Sequence, residues 1–421
     1  MVPGTGIEPV RTKAADFKSA TSTNFVTRAN PLESGFYLNF VFVSAMSELK
    51  HQFLESGQSS SVLTLLVTEA GVEVDRTPDP RWDIPVDLGD IRAWRFFNAS
   101  PKEFFRQYRK GFLIEHIHLF KNVLMEALQY LLEDPDAVLI LSGHVSEQQI
   151  AMGQSFCSQH RIKLNIIRRG LPRAMFIESF DDSFSLKWQS TPEQALPRAG
   201  MLDQSKYPTV YWTQWFNRFL AEDVYPVLRI RDRGQFFHFM KVLAQRTALG
   251  LNWSEIGAEI GASGPCVRDW TGFLMECGVI RLVEALRAPA PRRSKLRPKL
   301  YWNAPGLAVW LGDSINEVEA GFLPKLIENA VYLALIDSFE DARFYHFIDT
   351  NYVCAPLIME RNHVRTAIYF ADAPEQRQKA TRHHDSLVKA SICNKGVVLA
   401  APLPETEKRD THELQIIGLS C

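Results

Sequence analysis

The feature that most constrains this chain is a set of short, continuous apolar runs separated by helical stretches. Ser61–Val67 (SVLTLLV), Phe112-Leu113-Ile114 and Ala137–Leu141 (AVLIL) are apolar without alternation, so both faces of each strand must be covered. Between them, Pro101–Arg109 reads as a helix with Ser100 as its N-cap and Pro101 at its first position. Phe120–Leu132 is amphipathic and helical, and Trp82–Leu88 (WDIPVDL) is expected to add another strand. Strands alternating with helices in this way imply an α/β fold built on a parallel sheet.

The chain has 421 residues, of which 46% are apolar, which is enough for two or three domains with real cores. Its formal net charge is -1, so any basic surface must be local. The six cysteines are scattered, with no Cys-x-x-Cys pair, so neither a zinc knuckle nor a disulfide framework is expected. No metal ligand set stands out, and a reduced cytoplasmic compartment fits best. No apolar run is long enough to span a bilayer. Residues 1–45 carry no hydrophobic period. Gly6-Ile7-Glu8-Pro9 is what the antisense of a tRNA T-loop encodes, and Asp16-Phe17-Lys18-Ser19 suits an antisense leucine anticodon arm. We read this stretch as a mis-annotated or disordered leader and expect the functional start at or near Met46.

Residues 205–250 are helical and rich in aromatics (Tyr211, Trp212, Trp215, Phe216, Phe219, Phe236, Phe237, Phe239), which are expected to be core. The clearest local signal follows. Asn252 with Glu255 three residues on forms a capping-box pattern ahead of a short helix, Ser254 to Ile260. Gly261-Ala262-Ser263-Gly264 is a tight turn. A second helix from Pro265 carries Val267, Trp270, Leu274 and Cys277 on one face, with Gly278 at its end. This is helix-turn-helix spacing. A strand, Val279 to Val283, and a basic hairpin come next. From Arg281 to Lys299 there are seven Arg or Lys (281, 287, 292, 293, 295, 297, 299) and one Glu (284), as in a wing. A helix begins near Pro305. Beyond residue 320 the pattern is a helix through Glu328 and Val331, strands at Arg343–Ile348, Val353–Met359 and Val364–Phe370, a charged helix from Pro374 to Ala390, and a strand at Gly396–Ala400.

The stretch from Trp215 to Asp313 resembles the signature of the domain of unknown function numbered 4143. The matching residues are Arg231-Asp232, Phe236 to Ala244, Leu251 to Ser254, Gly261-Ala262-Ser263, Val267 to Trp270, Gly278-Val279-Ile280, Pro298 to Trp302, and Gly306-Leu307-Ala308 to Gly312. Asn303-Ala304 departs from it, because the family usually carries an acid there. That resemblance implies a preceding AAA-like P-loop ATPase domain, a winged-helix middle and a nuclease-like C-terminal module. The corresponding boundaries are 46–200, 201–313 and 314–421. The family's order of strands and helices is followed here by the strands SVLTLLV and IPVDLGD, the helix SPKEFFRQY, and the strands FLIEHIH and VLILSGH.

The residues that the implied chemistry needs are missing. A P-loop requires a lysine to neutralise phosphate oxygens, yet none occurs between His51 and Pro101. Glu69, Glu73 and Asp75 would repel a triphosphate. The Walker B position reads Glu115-His116, and the sensor-like position reads Ser142-Gly143-His144. The nuclease-like module keeps Glu328, expected as a helix-surface or helix-end glutamate. It has no acid at Val353-Cys354-Ala355 and neither acid nor lysine at Ala367–Phe370. His383-His384-Asp385 is expected to form an exposed polar face. No catalytic residue, metal or cofactor is therefore expected. The expectation is a non-hydrolysing pseudo-ATPase that binds duplex DNA or a protein, with Arg268 and Thr271 toward a groove, Arg292, Arg293, Lys295 and Arg297 on phosphates, and no membrane partner. The alternatives are an ATPase using ATP and magnesium at an unrecognised site, and a decayed gene product.

Overall fold

The structure, a computed structural model, describes residues 61–68, 86–119, 122–145, 147–169, 171–179, 185–228, 230, 232–287, 289, 294–314, 321–339, 341–371, 373–400 and 414–418. All of them belong to one compact unit, Ser56–Cys421. The fold is mixed α/β.

The first sheet contains β1 (Val62–Thr68), β2 (Val86–Asp87), β3 (Lys110–Glu115), β4 (Val138–Gly143) and β5 (Lys163–Arg169). They lie in the order β2-β3-β4-β1-β5, and every pairing is parallel. All seven residues of β1 are buried, which is why its sequence shows no alternation. Four helices accompany the sheet: α1 (Ile91–Ala99), α2 (Pro101–Gln107), α3 (Val123–Glu133) and α4 (Glu147–His160). Phe97, Phe104, Phe105 and Tyr130 lie in one core with the sheet. Phe104 meets Phe97 edge-on at 5.5 Å and Phe105 at 5.6 Å.

Two expectations here need correction. Of the strand expected over Trp82–Leu88, Val86–Asp87 is strand and Leu88 is not, residues 82–85 lying outside the described ones. Strand pairing stops there because Asp87 turns the chain: its Oδ1 accepts from Gly89 N at 2.7 Å, and Asp90 Oδ1 then caps α1 through Arg92 N at 2.7 Å. Ser100 makes no side-chain cap. It is squeezed between two helices, donating its N–H to Phe96 O and accepting from Phe104 N, so its backbone alone closes one helix and opens the next.

An antiparallel pair, β6 (Met175–Ser179) and β7 (Ser185–Trp188), leads into helices α5 (Pro192–Arg198) and α6 (Pro208–Phe219). A π-helical turn, Leu220–Val224, continues α6. Next come α7 (Arg233–Gln245), α8 (Trp253–Ile260), α9 (Gly264–Glu276) and α10 (Pro305–Leu311). The aromatics are core, as their helical spacing implied: Trp212, Trp215, Phe216, Phe219, Phe236 and Phe239 are all buried. Asn252 Oδ1 caps α8 through Ser254 N at 3.2 Å. Glu255, expected to complete a capping box, lies instead 3.6 Å from the Arg297 guanidinium. Gly261 supplies the left-handed turn with φ +71°, and Ser263 Oγ caps α9 through Cys266 N at 3.3 Å. Val267, Trp270, Leu274 and Cys277 all face inward.

The second sheet has seven strands: β8 (Ile280–Ala285), β9 (Lys299–Trp302), β10 (Arg343–Ile348), β11 (Cys354–Arg361), β12 (Val364–Phe370), β13 (Lys395–Ala400) and β14 (Leu414–Gly418). Their order is β14-β13-β12-β11-β10-β8-β9. The hairpin after α9 is therefore not a free arm. β8 pairs antiparallel with β9 on one side and parallel with β10 on the other. The zipper continues past the strand ends through Leu286 N to His346 O and Lys295 N to Ile348 O, both at 2.8 Å. Helices α11 (Leu323–Ser338) and α12 (Pro374–Lys389) flank this sheet. Among the described residues, no helix is long and apolar enough to cross a membrane.

Candidate functional site

The first sheet has a topological switch point. The connection from β1 runs to β2 at one edge, whereas that from β4 runs over β1 to β5, so the crevice at the carboxyl ends of β1 and β4 is where such sheets bind ligands. The expected Walker B and sensor residues converge on this edge. Residues 69–85, which follow β1, lie outside the described ones. Glu115 ends β3, and His116 follows with φ +58°, a conformation uncommon for a residue with a side chain. His116 Nδ1 lies 2.6 Å from Asp87 Oδ1. Burial pulls the His116 pKa down, but the hydrogen bond and charge of Asp87, with the charges of Asp223 and Glu115, outweigh it, so the net shift is upward.

Two further contacts fill the same edge from the helical region. His118 Nε2 lies 3.2 Å from Asp223 Oδ1, and the two side chains are only 10% and 17% exposed. Asp223 sits in the π-helical turn, where the extra residue per turn breaks α-helical register. The His118 Nδ1 atom is buried and has no hydrogen-bond partner among the described residues. It faces Gly143, where a Cβ would lie 3.0 Å away. His144 packs on Gly278, the glycine that ends α9 with φ +70°; a Cβ there would lie 2.4 Å from His144 Nδ1. Ser142 is buried in β4 opposite Leu66. Three carboxylates thus act on His116, and His144 is packed against the C-terminal turn of α9.

A second convergence lies where β9 meets α11. Lys299 Nζ is bonded to Glu328 and also donates to Pro356 O at 2.9 Å. Tyr301 donates its hydroxyl to Glu328 Oε1 at 2.6 Å, and its ring stacks on Tyr332 at 4.4 Å. Burial, then the charge of Glu328, push the Tyr301 pKa far up, so it remains a proton donor. Asn329 clasps the next residue of the strand, accepting from Trp302 N at 2.7 Å and donating to Trp302 O at 2.9 Å. The expectation that Glu328 is a helix-surface or helix-end glutamate is overturned. It sits inside α11 and is buried, because α11 lays that face against β9. A divalent cation at Glu328 would meet an ammonium already there, so these residues do not fit a metal site.

His383 and His384 also depart from expectation. His384 is buried with Nδ1 3.7 Å from Cys393 Sγ, and His383 Nδ1 lies 3.4 Å from Cys354 Sγ. The exposed polar face is therefore wrong for both: α12 turns them toward thiols, and Asp385 alone of the three is exposed. Burial raises the Cys354 pKa and lowers that of His383, which favours a neutral thiol beside a neutral imidazole. Among the described residues, no group of three or more His, Cys, Asp or Glu side chains is disposed to hold a metal ion.

The residues expected at nucleic acid divide three ways. Arg268 is exposed on α9, with exposed Asp269 beside it. Thr271 is corrected: it is 1% exposed and donates its hydroxyl to Val267 O at 2.7 Å, so it cannot reach a groove. Arg297 is exposed, and Lys295 Nζ sits 3.8 Å above the centre of the Tyr352 ring. Arg292 and Arg293 lie outside the described residues. Asn303, where the resemblance expects an acid, is buried and uses both ends of its amide. Its Oδ1 accepts from Arg281 Nε at 2.6 Å, and its Nδ2 donates to Gly278 O at 2.6 Å, which an ionised aspartate could not do.

Sequence reasoning missed Asp87, His118, Asp223, Lys299, Tyr301 and Tyr352. The signal for the first three was weak, since their partners are as many as 105 positions apart. For Lys299 and Tyr301 a signal existed: Pro298–Trp302 is a matched motif and Glu328 is the glutamate that the resemblance retains, and the two are halves of one joint. Among known families, one described as Domain of unknown function (DUF8612) matches residues 199–318, less than half of the chain. No curated protein matches the chain.

Proposed function

We propose that this protein is a non-hydrolysing relative of AAA-like P-loop ATPases that works by binding nucleic acid through a winged helix. The observation that carries the reading is the assembly of α8, the Gly261 turn, α9 and the β8–β9 hairpin, with exposed Arg268 on α9 and exposed Arg297 on the hairpin's return segment. The order β2-β3-β4-β1-β5 of a wholly parallel sheet supports a P-loop-like first domain. The succession α11-β10-β11-β12-α12-β13 supports a nuclease-like last module, in line with the retained Glu328.

Two observations favour binding over catalysis. The carboxyl edge of the first sheet gathers Asp87, Glu115 and Asp223 where a nucleotide would need cationic and N–H donors. The one retained nuclease-like carboxylate is neutralised by Lys299 from the same chain. Both places join regions of the protein, and the basic hairpin offers exposed Arg287 and Arg297 to a partner.

Fluorescence anisotropy of a labelled DNA duplex tests this reading. Saturable binding is expected, with affinity falling as salt rises. Arg268→Ala and Arg297→Ala should each weaken it, Arg297→Met reducing the salt slope by about one. Absence of binding at low salt would remove the proposal.

A further inference from the structure

The loop joining β10 to β11 has no part in either joint described above, yet it is built with unusual care. Asp349 is fully buried. Its Oδ1 accepts from Asn351 N at 2.8 Å and Val353 N at 2.9 Å. Its backbone exchanges two more bonds with the same loop, Asp349 N to Val353 O at 3.0 Å and Tyr352 N to Asp349 O at 3.2 Å. This framework holds Tyr352 at φ +61° and leaves it 68% exposed. A bulky aromatic in the left-handed region is strained, and such strain survives only where the surroundings dictate it. An apolar ring held out in water by a rigid turn contributes nothing to the core.

The loop is also tied to the basic hairpin. Ser294 and Asp349 form a β-bridge, and Lys295 N donates to Ile348 O. Lys295 Nζ covers one face of the Tyr352 ring at 3.8 Å. Arg297, exposed, and Leu296, 51% exposed, follow on the same segment. A cationic strip and a presented ring, fixed to one another by backbone bonds, are the two components of a stacking platform for an unpaired base.

We propose that Tyr352 and the Ser294–Arg297 segment form one composite surface for nucleic acid that offers an unpaired base beside a duplex. The winged helix holds the duplex phosphates, and the Tyr352 ring stacks the first unpaired base. This rests on the reading of the winged helix as a nucleic-acid module. Charge complementarity is the argument for the occupant: Lys295 lies on the ring, Arg297 is exposed on the same segment and Arg287 is exposed on the hairpin's outgoing strand end, whereas Lys299 and Arg281 are engaged inside the protein. The stacking is sequence-tolerant, since every base has a π face.

The test uses the full chain and two labelled probes, a blunt duplex and the same duplex with a single-stranded extension. Wild type should bind the extended probe more tightly. Tyr352→Asn, chosen because Asn tolerates positive φ, should lose about five- to tenfold on the extended probe, the low end of a base–aromatic contact. It should leave the blunt probe and the salt slope unchanged. Tyr352→Phe should retain wild-type affinity, and Lys295→Met should reduce the salt slope by about one. Equal affinity of wild type and Tyr352→Asn for the extended probe, with matching thermal melts, would overturn the inference while leaving the winged-helix reading intact. Failure of wild type to bind either probe would overturn that reading, and the inference with it.

Discussion

Replacing Lys299 with methionine is the perturbation with the largest expected effect on the fold. The Lys299 and Glu328 side chains are only 10% and 12% exposed, so their pairing belongs to the buried regime. Methionine keeps the length of the stem but leaves Glu328 with the Tyr301 hydroxyl as its remaining described donor. Removing one partner of a buried pair costs about 3–5 kcal/mol, because the other charge stays desolvated and uncompensated. Glu328→Met strands the ammonium and should cost a similar amount. The double variant, Lys299→Met with Glu328→Met, buries two apolar chains of similar volume. It should be near neutral, or more stable by about 1–4 kcal/mol. Urea unfolding followed by tryptophan fluorescence measures all three, and buried Trp302 is the adjacent reporter. The midpoint should fall in each single variant and recover in the double, with the slope unchanged. Additive losses below about 1 kcal/mol each, as for surface pairs, would refute the reasoning.

Further outcomes follow from other buried contacts. His346 is buried and donates through Nε2 to Arg297 O at 2.8 Å; burial first, then Lys299, pull its pKa down to about 4. The unfolded chain therefore takes up a proton that the folded chain refuses, so stability should fall as pH drops from about 6.5 toward about 4, by roughly 2–3 kcal/mol at most. His346→Gln should flatten that part of a pH series of urea midpoints. Gly278→Ala meets both a positive φ and the His144 ring. It should cost about 1–3 kcal/mol, and His144→Ala in the same chain should restore part of the loss; equal midpoints for Gly278→Ala and wild type would contradict the packing. Thr271→Val deletes a hydroxyl bonded inside its own helix, so it should leave duplex affinity unchanged, whereas a drop matching that of Arg268→Ala would return Thr271 to the interface.

The elements legible in the sequence were those whose pattern is local. The continuous run at β1 and the two helices around Gly261 follow from side-chain periodicity, the strands expected at Arg343–Ile348 and Val364–Phe370 are β10 and β12, and the one expected at Val353–Met359 is Cys354–Arg361. The failures share a different cause. Ser100 looked like a cap because its type favours one, but a second helix ends on the same residue. Glu328 looked solvated because glutamate usually is, and only the fold brings Lys299, 29 positions away, to its side. Thr271 sat on the surface in a simple wheel, yet α9 is buried over more of its circumference than Val267, Trp270 and Leu274 alone define. The union of the hairpin with the C-terminal strands was hidden for a related reason. β8 and β10 pair across a long sequence separation, Glu284 with Tyr345 and Ala285 with His346, to which no periodicity refers.

The central claim is that the carboxyl edge of the first sheet has become a joint and no longer receives a nucleotide. Titrating the protein with a fluorescent ATP analogue and magnesium, read by anisotropy, tests it most directly. The expected result is no saturable signal up to high micromolar nucleotide, with duplex binding indifferent to added ATP. Saturable binding in the micromolar range would contradict the claim and point to a phosphate-binding loop after Thr68.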